Sequence, residues 1–155
     1  MKTVLSFFLI LAVTSSWASA SNIADSGVRR NYKNSLDSVL LNVSSITDSK
    51  KIEYVIPASE AEAIIYFSSD YKKKFSPYFQ KLQKKIVDLC IAGNSQILIK
   101  YLYMSEFVDG YFAEDYFDNI EKIAKVRKGS FCNTLTTLDK TKTKRLNEIK
   151  AKYCQ

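Results

Sequence analysis

Residues 59–92 read SEAEAIIYFSSDYKKKFSPYFQKLQKKIVDLCIA, and the spacing of their apolar side chains decides the fold. Ile64, Phe67, Tyr71, Phe75, Tyr78, Leu82, Ile86 and Leu89 follow one another at steps of 3, 4, 4, 3, 4, 4 and 3. That pattern stays close to the ~3.6-residue period of an α-helix. Ser59 and Glu62 have the spacing of a capping box, a pair that satisfies free N–H groups at a helix start. Gly93 supplies the left-handed residue that commonly follows a helix end. Pro77 is the one objection: it has no N–H and crowds the carbonyl four residues back. Because the stripe keeps its phase across Pro77, the pattern predicts one long kinked helix, about 50 Å in length.

The flanking sequence supplies partners for that helix. From Val28, the residues Tyr32, Leu36, Val39, Leu40, Val43 and Ile46 form a second helical stripe, with Arg29, Arg30, Lys33 and Asp37 on its wet side. Asn42-Val43-Ser44 is a formal glycosylation acceptor, but its place beside the apolar stripe favours an unmodified asparagine. Thr47–Lys51 reads as a polar turn and Ile52–Ile56 as extended, because Pro57 disfavours helix in the residue before it. Beyond Gly93-Asn94-Ser95 the chain turns into Gln96–Val108, which is apolar almost all round. Tyr111–Arg127 is amphipathic, with Phe112, Tyr116, Ile120, Ile123 and Ala124 inward, acids early and bases late, as the helix dipole favours. Gly129 is its expected stop, and Leu135, Leu138, Leu146, Ile149 and Tyr153 carry a weaker stripe through a Lys/Thr-rich tail. The connections are short. The fold class expected is all-α, an up-down antiparallel helical bundle of about five helices.

The first twenty residues read as a secretory signal peptide: Lys2, an apolar run from Val4 to Val13, and the small residues Ala18-Ser19-Ala20 at a cleavage site. One domain then spans residues 21–155, enough for a core but not for two. The whole sequence carries a net charge of +7, ten tyrosines and no histidine. Its three cysteines, in an oxidising compartment, imply one disulfide and one thiol left over. If Leu135–Tyr153 is helical, Cys132 and Cys154 lie at opposite ends, roughly 30 Å apart, beyond disulfide reach. In an up-and-down bundle Cys90 and Cys132 share one end, so the expected bridge is Cys90–Cys132.

Without histidine the usual Ser-His and Cys-His nucleophile pairs and the usual zinc sets are closed. The glycines are isolated, so no phosphate loop forms. Glu60/Glu62 and Glu114/Asp115/Asp118 lie at helix starts, where capping and the dipole already account for acids. The expectation is therefore no catalytic residue, no metal site and no cofactor. The basic residues carry more information. Lys72, Lys73 and Lys74 form one cluster, and Lys81, Lys84 and Lys85 lie opposite the apolar stripe of the long helix. Lys140, Lys142, Lys144, Arg145, Lys150 and Lys152 crowd the tail. Such a surface suits an anionic lipid or a glycoprotein coat, whereas nucleic acid is not expected in a secreted chain with no reading motif. If Ile97, Leu98, Tyr101 and Leu102 face the core, then Ile99, Tyr103 and Phe107, with Tyr111 and Phe112 beyond the turn, emerge as an exposed apolar patch. The alternative is that the long and N-terminal helices cover both sides.

The order of elements resembles the abalone (gastropod) sperm acrosomal proteins, the family of egg lysin and its fusogenic paralogue. The likeness is densest at Tyr66-Phe67 with Tyr71 downstream, at Lys84-Lys85-Ile86 running to Gly93, at Tyr101–Asp109, and at Tyr116–Arg127. That last stretch is similar to the tyrosine-led last helix of lysin. Membership would imply a secreted, non-enzymatic helical bundle stored in the acrosome, a secretory vesicle, and released at the egg. Lysin opens the egg vitelline envelope by binding its glycoprotein; the paralogue is implicated in fusion of sperm and egg membranes. The milder charge, the cysteines and the longer tail depart from the lysin pattern, and the apolar surplus leans toward the fusogenic member. The mechanism this implies has lysines concentrating the protein at the egg plasma membrane and the aromatic patch inserting among its lipids. Attachment to an egg-coat glycoprotein is the alternative, a carrier of a hydrophobic ligand a third reading, and a homodimer is left open.

Overall fold

The computed structural model describes residues 27–155, and the expected leader at residues 1–20 lies outside them. The described residues form an all-α helical bundle without strands. Helix α1 covers residues 27–42. It is followed by α2 (Ser49–Tyr54), α3 (Glu60–Tyr66), α4 (Ser69–Ile91) and α5 (Ser95–Tyr103). A 3-10 turn (Met104–Glu106) leads to α6 (Tyr111–Val126) and α7 (Lys128–Thr137), and a second 3-10 turn (Lys144–Leu146) to α8 (Asn147–Tyr153).

The long helix expected over residues 59–92 is two helices. Ser59 caps α3, accepting from the Glu62 N–H at 3.4 Å, while the Glu62 carboxylate reaches back to the Ala58 N–H at 2.7 Å. Phe67 then leaves helical geometry, and Ser68 is extended with φ −62° and ψ 141°. Its hydroxyl accepts from the Tyr71 N–H at 3.4 Å, so Ser68 restarts the chain as a new cap. A local capping signal overrides a periodic stripe here, because the stripe constrains only which side chains are apolar. The kink expected at Pro77 is present within α4: Phe75 has φ −121° and ψ 16°, in the turn deprived of the proline N–H. The break also re-phases the buried face. Ile64 and Tyr78 are exposed, whereas Ala63, Tyr66, Phe79, Val87 and Cys90 are buried beside Tyr71, Phe75, Leu82 and Ile86.

Helix α5 packs against α2, α4 and α7, and Ile97, Leu98, Tyr101 and Leu102 are buried as expected. The segment expected to be extended, Ile52–Ile56, starts within helix α2, whose N-terminus Asp48 caps through the Lys50 N–H at 2.9 Å. Pro57 restricts only its immediate neighbour, and Ile52, Val55 and Ile56 bury their side chains completely or nearly so. Lys85 holds the end of α1: its ammonium donates to the Val43 carbonyl at 3.2 Å and to the Ile46 carbonyl. Both carbonyls lie in the turn after α1, outside any helical ladder, where a backbone acceptor needs a partner from elsewhere. Asn42 is exposed on the last turn of α1, and Ser44 is exposed in the turn after it. Only Val43 of the acceptor triplet faces the core.

The expected Cys90–Cys132 bridge is not formed. Cys132 pairs with Cys154, with Cα atoms 5.5 Å apart, and Cys90 is a buried free thiol. The expectation rested on one continuous helix through the tail, and that helix does not exist. The chain leaves α7 at Leu138, extended at φ −82° and ψ 156°. Asp139 stabilises the turn by accepting from the backbone and hydroxyl of Thr141 at 2.9 and 2.8 Å, and α8 returns alongside α7. A poor helix former with a competing hydroxyl recurs along Thr134–Thr143, and the hydroxyls favour turns. Gly129, expected as the stop of α6, is instead the second residue of α7; α6 ends at Val126, with Arg127 non-helical.

Candidate functional site

Helices α4 and α6 pack together and leave between them a groove of about 540 Å³. Its floor is aromatic: Phe67, Phe79, Phe112 and Tyr116, with Met104. Phe67 meets Phe112 at a ring-centroid distance of 5.1 Å, and Tyr66 meets Phe67 and Phe79 edge-on at 5.1 and 5.2 Å. Below the floor the polar ends of buried tyrosines are fully engaged. Gln83 donates to the Tyr66 hydroxyl at 3.0 Å and accepts from that of Tyr101 at 2.9 Å. Tyr116 donates to the Tyr101 carbonyl at 2.7 Å. Burial holds the Tyr66, Tyr101 and Tyr116 hydroxyls well above the ordinary phenol range, so they remain neutral donors. Ring contacts therefore hold Phe67, Phe79 and Phe112 in the groove's base, and a hydrogen bond anchors Tyr116.

The rim is polar and charge-balanced. Gln80 and Lys84 stand on α4, and Asp115, Asp118, Asn119 and Lys122 on α6. Lys84 pairs with Asp88 at 2.6 Å, although its side chain is 76% exposed, so this surface bridge leaves the ammonium open to a ligand. Aromatic faces below amides and charges of both signs can hold a polar protein segment or a sugar ring, which is apolar on its faces and hydrogen-bonding at its edge. The signal for the rim was present in the sequence: Gln80/Lys84 and Asp115/Asp118/Lys122 are spaced as helical neighbours beside the apolar stripes.

A second groove of about 610 Å³ shares Phe67 with the first. Ile64, Phe67 and Phe107 form its apolar part, and Glu60, Glu106 and Asp109 stand around it.

The residues expected to make one exposed patch are not brought together as one. Ile99, Tyr103 and Phe112 are half-buried and packed against the core. The Tyr103 hydroxyl accepts from the Asp139 N–H at 3.4 Å, under Lys142, on the tail side. Phe107 is half-buried among the acids of the second groove. The correction has a physical cause: α2 and α7 are the cover that the sequence reading did not recognise, and Ile52 of α2 and Phe131 of α7 are both 0% exposed. The lysines divide as well. Lys73, Lys81 and Lys84 are exposed, with Lys81 5.9 Å from the Tyr78 ring centroid. Lys85 is committed to the end of α1. In the tail, Arg145 donates to the Ser105 carbonyl at 3.3 Å and to that of Val108. Lys152 pairs with Glu121 at 3.0 Å. The side chains of Lys72, Lys74 and Tyr111 lie outside the described set.

The Cys90 thiol is pushed up to about 12 by burial, which leaves it essentially without the thiolate a nucleophile needs. Among the described residues no group of three His, Cys, Asp or Glu could hold a metal ion, and no helix is long and apolar enough to cross a membrane. Searched against protein-family models, curated proteins and solved structures, the chain finds no match.

Proposed function

We propose that this chain is a secreted, non-enzymatic fertilisation protein of the sperm acrosomal kind, which binds the egg coat glycoprotein through the α4–α6 groove. One observation carries the reading: a concave aromatic floor, fixed from below by the Tyr66–Gln83–Tyr101 hydrogen bonds, under a rim of amides and balanced charges. Concavity suits a protein or glycan ligand, whereas a bilayer needs aromatic side chains that protrude. The Cys132–Cys154 bridge fits export into an oxidising compartment. Lysines exposed along α4 would draw the protein toward an acidic glycoprotein, and the groove would supply the specific contact.

Fusion of sperm and egg membranes is the second reading, and a specific feature favours it. Tyr78 is 38% exposed on the outer side of α4 with Lys81 above its ring, an aromatic–cation pair suited to a lipid interface. The two readings part in one comparison, using isolated egg envelopes and negatively charged vesicles. Coat binding predicts loss of envelope structure without lipid mixing. Lipid mixing abolished by Tyr78→Ser, with envelopes left intact, would overturn it in favour of fusion.

A further inference from the structure

The second groove has chemistry opposite to that of the whole molecule. Ile64 is 58% exposed at its edge, beside the half-buried rings of Phe67 and Phe107. Around them stand the exposed carboxylates of Glu60, Glu106 and Asp109. None of the three makes an ion pair among the described residues. The one cation in the lining, Arg145, is turned to other work: it donates to the Ser105 and Val108 carbonyls and lies 5.4 Å from the Phe117 ring centroid. A protein of net charge +7 thus presents an apolar trough with an acidic border.

We propose that this trough, floored by Ile64, Phe67 and Phe107 and bordered by Glu60, Glu106 and Asp109, docks a cationic amphipathic segment of a partner protein. The occupant follows from charge complementarity. Anionic lipid and acidic glycans would meet three carboxylates against the single Arg145 guanidinium, so the net negative border repels what the α4 lysines attract. A helix or extended segment with apolar anchors at alternate turns and Lys or Arg beside them would bury Ile64 and neutralise the carboxylates. The trough shares Phe67 with the α4–α6 groove but takes the rest of its lining from other residues, so its peptide test is read separately from coat binding. It gives the molecule a second contact of opposite sign.

The test uses the full mature chain with its disulfide intact. The probe is a fluorescently labelled amphipathic peptide of about 14 residues, roughly four helical turns, with Leu and Phe on one face and Lys and Arg on the other. A second peptide carries Glu in place of every cation. The cationic peptide should bind and the acidic one should not, with affinity falling as salt rises. Glu60→Lys/Glu106→Lys/Asp109→Lys should weaken binding about tenfold or more, and Ile64→Ser should weaken it at any salt concentration. The milder Glu60→Gln/Glu106→Gln/Asp109→Gln variant gives a smaller loss and serves if charge reversal disturbs α3. Equal binding of both peptides, or cationic binding indifferent to these substitutions, would overturn the proposal. So would failure of the unaltered protein to bind the cationic peptide, or Ile64-dependent insertion into phosphatidylserine vesicles.

Discussion

Alkaline pH should unfold this protein abruptly, and the reason lies under the groove. The Tyr32, Tyr66, Tyr101 and Tyr116 side chains are at most 3% exposed, and desolvation is the largest cause that holds each hydroxyl well above the ordinary value of 10.0. Below pH 10 both folded and unfolded chains keep these protons, so the four tyrosines leave stability unchanged. Above it the unfolded chain releases protons that the folded chain retains, and stability falls by about 1.4 kcal/mol per tyrosine per pH unit. At pH 11 the four together remove roughly 5 kcal/mol. Cys90 works in the same direction from lower pH, since its thiol is raised from 9.0 to about 12, and adds roughly 2–3 kcal/mol by pH 11. The sum rivals the 5–15 kcal/mol of a typical domain. Tyrosinate absorbance and far-ultraviolet circular dichroism, followed together on raising the pH, should show Tyr32, Tyr66, Tyr101 and Tyr116 ionising only as helix is lost, with Tyr71, raised by burial and by the Asp37 carboxylate beside it, also ionising late. If all ten tyrosines ionise while the helical signal is intact, the buried hydrogen-bond network described here is wrong.

Replacing Cys132 and Cys154 by serine opens a loop with a sequence separation of 22 and should cost about 3 kcal/mol, read as a lower urea midpoint, whereas Cys90→Ala should leave every disulfide peptide unchanged on mapping. Lys85→Met keeps the packing of the stem but deprives the Val43 and Ile46 carbonyls of their donor; a loss of about 1–3 kcal/mol is expected in denaturant titration. Asn42 and Ser44 are both exposed, so passage through a secretory pathway should give a species that glycosidase treatment or Asn42→Gln shifts to lower mass, and an unshifted product would show the acceptor unused.

How much of this was readable from sequence differs from helix to helix. The stripes of α1, α5 and α6 named the correct core: Tyr32, Leu36, Leu40, Leu102, Ile120 and Ile123 are all buried, because a helix long enough to repeat its period fixes which face turns inward. Even in the tail Leu135, Leu138, Leu146 and Ile149 were correctly placed inside, although the continuous helix was not. Short elements were the difficulty. The six residues of α2 are too few for a period, and the serine cap between α3 and α4 is a single hydrogen bond set against seven turns of pattern. Those misses propagated into the site. With α2 and the α7–α8 hairpin unrecognised, α5 had no cover, and its second apolar face was read as surface. The disulfide failed for the same reason, since a hairpin brings together ends that a helix keeps apart. The α4–α6 groove was only half legible: its polar flanks recur at helical spacing, but the distance between two helices is set by side chains on both and is not written in either alone.

Binding to the egg coat glycoprotein by a protein whose groove has been filled is the most direct test of the account. Gln80 and Lys122 are exposed at the groove's mouth, so Gln80→Trp/Lys122→Trp should block it while leaving the helical spectrum and the denaturation midpoint unchanged. The account predicts saturable binding of purified coat glycoprotein to the unaltered protein and its loss in the filled variant. Equal binding by both proteins, or none by the unaltered one, would contradict it.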